Sequence, residues 1–191
     1  WLANYETDAE PPDTASIDDW DDLSPWSNDF NAPTGTREPL YARDSLNRHG
    51  GLDFEASDKD NFICDSTDQE FHDNSDGLSI FCVCHQETYA NHYLVSRYDS
   101  AAGERGWYLK PGQFSVFEDS STYTTDYSAI WTNSDTADPH LICGIWKAQV
   151  GTYGYEDGTL KDTASNACDD IDNTSTETRI GCYRHEQANN F

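Results

Sequence analysis

The sequence predicts an all-β protein, a disulfide-stabilised β-sandwich or barrel with an irregular acidic N-terminal arm. Short runs rich in Tyr, Thr, Phe and Trp recur at spacings of roughly ten residues, and helical periodicity is weak. All six cysteines lie between Cys64 and Cys182, and the formal net charge is −25. An even number of cysteines in an acidic chain without methionine favours a processed, secreted protein, because disulfides persist outside the reducing cytosol.

Residues 1–49 are predicted to form the arm, and residues 50–191 a cysteine-bearing β domain. Five of the seven prolines fall in the first 39 residues, where ten acidic residues face one basic residue, Arg37. Such composition is typical of a disordered or propeptide-like segment. Arg43 and Arg48 are predicted processing sites, with an ordinary linker as the alternative, and Gly50-Gly51 marks a turn into the β domain.

Seven segments of the β domain are predicted strands, separated by turn signals such as Lys110–Gly112 and Glu156–Gly158. Leu78–His85 is apolar on both faces, which predicts a central strand. The other predicted strands are Tyr89–Tyr98, Trp107–Leu109, Phe114–Phe117, Tyr123–Thr132, Leu141–Val150 and Thr178–Arg184.

The cysteines are predicted to form disulfides. Cys82 and Cys84 are two residues apart on one strand, so their side chains point the same way and do not easily pair with each other. The alternative is a zinc site on Cys82, Cys84 and His85, but Cys-x-Cys-His is not a standard zinc spacing. The predicted disulfide cysteines are Cys64, Cys82, Cys84, Cys143, Cys168 and Cys182.

The charge excludes some partners. With 36 acidic residues against 11 Lys and Arg, the chain is a poor match for nucleic acid, which requires a basic surface. No stretch approaches the roughly 20 apolar residues that span a bilayer, so no membrane insertion is expected. A protein or glycan target remains. The scarcity of Lys also fits a high-salt habitat.

Aromatic residues supply 13% of the chain and are the predicted ligand-binding residues. Exposed rings on a β-sheet stack on sugars or serve as hot spots for proteins, and the alternative is core packing in a chain poor in Leu. The predicted ligand-binding residues are Trp107, Tyr127, Trp131, Trp146, Tyr153 and Tyr155.

An acid-rich loop predicts calcium as the one possible cofactor. Asp169, Asp170 and Asp172 supply clustered carboxylates of the kind that Ca²⁺ prefers, although such clusters also arise by chance in so acidic a chain. Asn173 begins the only Asn-x-Ser/Thr sequon and is the predicted glycosylation site. The chain contains no His-Glu-x-x-His, Gly-x-Ser-x-Gly or P-loop motif, so an enzymatic function is not favoured.

No specific family is identified, but in class the chain resembles small secreted fungal proteins, including effector and toxin proproteins. The acidic arm, Leu40–Arg43 and the six-cysteine β domain carry the resemblance. It implies a non-enzymatic protein that binds a protein or cell-surface target, with the arm as a chaperoning propeptide. One alternative is a carbohydrate-binding or carbohydrate-hydrolysing protein, and another is a structural subunit of an extracellular assembly.

Overall fold

The computed structural model of the protein describes residues 11–22, 28–46, 49–55, 57–64, 77–86, 92–99, 104–118, 126–132, 136–165, 171 and 177–182. Within these residues the chain is all-β and contains no helix, as the sequence predicts. The strands are β1 (Asp19–Trp20), β2 (Phe30–Asn31), β3 (Leu40–Leu46), β4 (His49–Asp53), β5 (Phe62–Cys64), β6 (Gly77–Cys84), β7 (Val95–Asp99), β8 (Glu104–Lys110), β9 (Gln113–Phe117), β10 (Asp126–Ile130), β11 (His140–Lys147), β12 (Gly151–Glu156), β13 (Thr159–Ser165) and β14 (Arg179–Ile180).

The described strands form three antiparallel sheets. The large sheet has the order β1-β2-β5-β14-β7-β8-β9-β10, the four-stranded sheet has the order β13-β12-β11-β6, and β3 pairs with β4 as a separate hairpin. Neither of the two larger sheets closes on itself within the described residues. The barrel alternative is therefore wrong, and the open antiparallel sheets remain.

The two larger sheets pack face to face around one apolar core, as in a sandwich. Inward-pointing residues of both sheets meet there, and each is no more than 2% exposed. Full burial of a large apolar side chain contributes roughly 1.5–3 kcal/mol, so this layer is the main source of stability. The core residues from these strands are Trp107, Leu109, Phe114, Val116, Ile142 and Trp146.

Two glycines allow the sheets to approach closely. Gly144 of β11 and Gly154 of β12 are cross-strand partners on the inner face. A Cβ atom on Gly144 would lie 2.5 Å from Phe114 Cδ2, and one on Gly154 would lie 2.6 Å from Trp131 Cε3. The two aromatic rings therefore occupy the space that larger side chains would fill.

The predicted turns at Lys110–Gly112 and Glu156–Gly158 are confirmed. Gly112 has φ 83°, a conformation that favours glycine. Asp157 and Gly158, between β12 and β13, have φ 52° and 75°. Two successive positive φ values are typical of the type I′ turn, whose twist suits a β-hairpin.

Most of the described part of the N-terminal arm lies outside strands, as predicted, but the arm joins the large sheet through two short strands. β1 pairs with β2, and β2 pairs with β5 of the large sheet. The ring of Trp20 meets that of Phe62 edge-on at 6.0 Å, so apolar contact supports the pairing. The predicted boundary after residue 49 falls inside β4 (His49–Asp53).

β6 is an edge strand of the four-stranded sheet, so the prediction of a central strand over Leu78–His85 is wrong. Exposure alternates along β6 from residue to residue. The side chains of Leu78, Ile80, Cys82 and Cys84 pack against the core, whereas Phe81 and Val83 face outward and are exposed. The strand is apolar on both faces although only one face is covered.

Within the described residues, Cys82, Cys84 and Cys143 form no disulfide. Cys82 and Cys84 share the inner face of β6, as predicted, and Cys143 points outward from β11. Burial raises the pKa of the Cys82 thiol to about 12, and it also raises the pKa of Cys143. Cys168 lies outside the described residues, and the disulfides stay a prediction.

Candidate binding surface

The outward side of the four-stranded sheet carries apolar and aromatic side chains on all four strands. Alternate residues of a strand point to the same side, and the strand register aligns them between neighbours. One row crosses the whole sheet, because Phe81 is the partner of Cys143, Cys143 of Tyr155, and Tyr155 of Leu160. We call this surface the outer face, and its members are Phe81, Val83, Leu141, Cys143, Ile145, Tyr153, Tyr155 and Leu160.

Several large apolar side chains of the outer face are open to solvent. Phe81 is 64% exposed, Val83 55%, Leu160 48% and Leu141 39%. A single exposed apolar residue is ordinary on a protein surface, but a contiguous group marks an interaction site. The row across four strands spans roughly 14 Å, which is wide enough for a secondary-structure element of a partner.

A shallow depression of about 200 Å³ lies within the outer face. Cys143 lies in it and is only 5% exposed, and burial raises the pKa of its thiol, so this thiol is neutral near pH 7. The described residues that line the depression include no charged side chain. They are Phe81, Leu141, Cys143, Ile145, Tyr155 and Gly158.

A polar cluster borders the outer face where β11 begins and β12 ends. His140 Nδ1 lies 2.7 Å from Asp157 Oδ2 and 3.7 Å from Glu156 Oε1. Glu156 is fully buried, and its Oε2 accepts a hydrogen bond of 2.9 Å from Trp131 Nε1. The hydrogen bond from His140, together with one from the Leu141 amide, holds the pKa of Asp157 below its usual range.

The structure divides the predicted ligand-binding aromatic residues. Tyr153 and Tyr155 lie half-buried on the outer face, beside the exposed apolar residues. Trp107 and Trp146 are 2% and 1% exposed and belong to the core. The prediction that these two tryptophans bind a ligand is therefore wrong, because both point inward between the sheets and offer no ring face to a ligand.

Tyr127 and Trp131 are half-buried and pack against the core. The Tyr127 hydroxyl donates to Glu118 Oε2 at 3.3 Å, and the Trp131 ring lies over Gly154. The Trp131 contact ties the end of the large sheet to the four-stranded sheet, whereas the Tyr127 hydrogen bond lies within the large sheet. They bring neither ring to the outer face.

Other predicted sites lie largely outside the described residues. Arg43 lies in β3, where its backbone N–H donates to Asp13 Oδ1 at 2.9 Å. Processing, calcium binding and glycosylation stay predictions. The predicted site residues outside the described part of the chain are Arg48, Cys168, Asp169, Asp170, Asp172 and Asn173.

The sequence patterns did not predict Phe81, Val83, Leu141 or Leu160 as binding residues. A signal was present, because the run from residue 78 to 85 is apolar on both faces. That pattern indicates two apolar faces, but it does not indicate whether other parts of the protein cover both of them.

The outward side of the large sheet has a different character. Gln113 Nε2 donates to the Tyr108 hydroxyl at 2.8 Å and to Ser115 Oγ at 2.9 Å, and Lys110 Nζ lies 5.5 Å from the centre of the Tyr108 ring. Burial raises the pKa of Tyr108 to about 12. Tyr108 is 7% exposed and Ser115 is fully buried, so these polar groups serve one another rather than a ligand.

Comparison with known proteins identifies the fold. No protein-family model matches the chain, and no curated protein does. The structure is similar to the binding domain of Paraclostridial Mosquitocidal Protein 1, with a TM-score of 0.62 over 89% of this chain and 15% sequence identity. The chain spans 43% of that protein's chain. At this identity the similarity shows a shared β-rich fold alone.

The described residues contain no helix with the length and apolar character needed to cross a bilayer.

Proposed function

We propose that the protein is a secreted, non-enzymatic binding protein that attaches to a protein target through the outer face. The observation that carries this proposal is the apolar row from Phe81 to Leu160, which crosses all four strands and is exposed at both ends. Aromatic and aliphatic anchors of this kind dominate protein interfaces when a partner removes them from water. The depression between them offers space for a partner side chain.

The partner is expected to be a protein surface with an apolar centre and a basic rim. The chain carries a net charge of −25, and its field favours approach by a positively charged partner. Apolar contact at the centre and opposite charge at the periphery match the usual organisation of a protein interface.

A protein target is favoured over a glycan by the chemistry of the depression. Specific recognition of sugar hydroxyls relies on a few placed polar groups in addition to aromatic rings. The described lining is apolar apart from the Tyr155 hydroxyl. The similarity to a toxin's binding domain supports a binding role in general, and it leaves the class of target open.

Secretion and disulfide bonds are part of the same proposal, although Cys82, Cys84 and Cys143 form none in this structure. The even number of cysteines supports it, because small secreted domains use disulfides to supplement a limited core. With only 36% hydrophobic residues, this chain has reason to use such cross-links.

The experiment compares surface variants in binding to a panel of intact animal, plant and fungal cells. The test variant is Phe81→Ser combined with Leu160→Ser, and the control is Ile130→Ser, which removes an apolar residue that is 59% exposed on the large sheet. Circular dichroism and thermal unfolding establish that each variant is folded. Trypsin treatment of the cells and enzymatic removal of their glycans separate protein targets from glycan targets.

We expect saturable binding by the wild type and the control, and binding roughly tenfold or more weaker for the double variant. Trypsin treatment should abolish binding. Equal binding by the double variant and the wild type would remove the outer face from the proposal. Loss of binding only after glycan removal would replace the protein target with a carbohydrate, and absence of binding to every cell type would count against the proposal as a whole.

A further inference from the structure

We propose that β6 (Gly77–Cys84) binds an extended basic segment of the target protein as an added strand, on the side of β6 that faces away from β11. The inference rests on the proposed function, because it names the kind of partner segment and the way in which it is recognised beside the outer face. In this mode of recognition, main-chain hydrogen bonds supply affinity and alternate side chains supply specificity.

The hydrogen bonds of β11 fix which backbone groups of β6 point away from the sheet. In an antiparallel ladder the N–H and C=O of one residue point to the same neighbour, and successive residues alternate. The Leu141 amide donates to Asp157 Oδ1 at 3.0 Å and the Leu141 carbonyl accepts from the Asp157 amide at 2.9 Å, so Leu141 faces β12. Ile142 therefore faces β6, where its partner is Cys82. We call the alternate residues of β6 the β6 edge, and they are Gly77, Ser79, Phe81 and Val83.

The backbone groups of the β6 edge have no strand partner within the described part of the chain. There β11 is the single strand that pairs with β6, and all four residues of the β6 edge are exposed. The Val83 carbonyl accepts only a weak contact of 3.8 Å from the Cys82 thiol. Ser79, Phe81 and Val83 also direct their side chains to the outer face. A strand added here would therefore contact the backbone of β6 and the apolar row together.

The two edges of the four-stranded sheet differ in how they are protected. β13, at the opposite edge, contains Lys161 and Asp162, and its ladder with β12 has a register shift. The Ile130 amide of β10 donates to Asp162 Oδ2 at 2.7 Å, so the large sheet lies beside that edge. β6 contains no charged residue and no proline, and its eight pairs with β11 run without a bulge. Charges, prolines and bulges are what protect an edge from further pairing, so the β6 edge is the one of these two that is open to another strand.

Charge selects the class of the added strand. The net charge of −25 repels a second copy of the chain and attracts a basic segment. Residues 65–76, which precede β6 in the chain, include five acidic residues and no Lys or Arg, whereas β11 supplies one Lys, Lys147, opposite Gly77. The five are Asp65, Asp68, Glu70, Asp73 and Asp76. A segment with apolar residues at alternate positions and Lys or Arg at its ends matches both the outer face and this charge.

The experiment begins with amide hydrogen exchange of the full chain, followed residue by residue by NMR. Without a partner, the amides of Ser79, Phe81 and Val83 should exchange faster than those of Ile80 and Cys82, which face β11. The probe is a synthetic peptide of alternating Val and Thr with Lys residues at both ends. It should slow exchange at the same three amides, and its affinity should decrease as the salt concentration rises.

Two methylated peptides test the backbone bonds directly. In antiparallel pairing, the Val N–H groups point at β6 when the Val side chains lie on the outer face, and the Thr N–H groups point away. N-methylation of every Val should therefore weaken binding by roughly tenfold or more, whereas N-methylation of every Thr should leave it unchanged. A peptide with Glu in place of Lys should also bind roughly tenfold or more weakly.

One substitution tests the same bonds from the side of the protein. Ser79→Pro removes an N–H that faces away from β11, so β6 keeps its pairing, and Ser79→Thr is the matched control that keeps the N–H. Ser79→Pro should weaken binding of the peptide and of the target cells by roughly tenfold or more, and Ser79→Thr should not. Circular dichroism establishes that each variant is folded, and the methylated peptides decide the question on the wild-type chain if Ser79→Pro is not.

Slow exchange at Ser79, Phe81 and Val83 without peptide, absence of peptide binding, or equal binding of the two methylated peptides would overturn the inference. Protection that grows with protein concentration alone would make a second copy the occupant and would overturn it as well. Unchanged cell binding by folded Ser79→Pro, with loss in Phe81→Ser combined with Leu160→Ser, would reject strand addition and retain the proposed function. Unchanged cell binding by both variants would reject the proposed function itself.

Discussion

Replacement of Gly144 by alanine should destabilise the fold by forcing the two sheets apart. The new methyl group would lie 2.5 Å from Phe114 Cδ2 and 2.8 Å from Cδ1. Carbon atoms in contact prefer about 3.5–4.0 Å, so the ring or the strand must move by roughly 1 Å. Phe114 is fully buried in a close-packed core, where overpacking costs typically about 1–3 kcal/mol. We expect a loss of about 2–3 kcal/mol in the free energy of unfolding.

The measurement is urea unfolding followed by tryptophan fluorescence, with linear extrapolation to water. A double-mutant cycle with Phe114→Leu isolates the steric contact, because the smaller side chain leaves room for the methyl group. The coupling energy between the two substitutions should exceed about 1 kcal/mol. Gly158→Ala is the control: its Cβ would meet nothing within 4 Å, and it costs stability only through the backbone at φ +75°.

Two results would refute this reasoning. One is a Gly144→Ala variant within about 0.5 kcal/mol of the wild type, which is the usual range for substitutions that disturb nothing. The other is a coupling energy between Gly144→Ala and Phe114→Leu that is no larger than the coupling energy between the control Gly158→Ala and Phe114→Leu.

Three further predictions concern ionisation, a buried hydrogen bond and the cysteines. Since burial raises the pKa of Tyr108 to about 12 from 10, the phenol stays protonated to a higher pH in the folded state than in the unfolded state. The stabilisation from this raised pKa is full below pH 10 and is lost as the pH rises to 12. Urea unfolding should show the free energy of unfolding decrease by about 2–3 kcal/mol over this range, and the Tyr108→Phe variant should not show this decrease. Trp131→Phe deprives the buried Glu156 of a hydrogen-bond donor and should lower the free energy of unfolding by about 1.5–3 kcal/mol. Adding Glu156→Gln to this variant should recover part of that loss in the same unfolding assay. Alkylation of denatured, unreduced protein should add no mass if three disulfides are present, whereas six adducts in the mass spectrum would oppose the disulfides and the support they give to secretion.

Much of the fold could be predicted because its signals are local. Strand alternation extends over five to eight residues, and the turns at Lys110–Gly112 and Asp157–Gly158 are encoded by residues that tolerate special φ values. The strands of the N-terminal arm could not be predicted in this way. Two-residue strands such as β1 have no periodicity to detect, and the contact of Trp20 with Phe62 joins positions that are distant in the chain.

The candidate sites depend on information that a local pattern does not contain. The sequence shows that β6 is apolar on both sides, but its edge position follows from the sheet order, which long-range pairing decides. His140 and Glu156 meet because the register places Ile142 opposite Glu156 and the strand ends coincide. A shift of one residue in that register would turn alternate side chains to the other face and separate the cluster.

Because the chain combines an apolar outer face with a net charge of −25, we expect the ionic strength to control whether copies of the chain associate. The attraction between two apolar faces acts only at contact, whereas the repulsion between two equally charged molecules extends over the Debye length. That length is about 30 Å at 0.01 M salt and about 8 Å at 0.15 M. In dilute salt the copies repel before their faces meet, and the faces remain open to an oppositely charged partner. Concentrated salt lowers that barrier, so we expect a purification step at high ionic strength to favour contact between copies through the surface that we propose to bind the target.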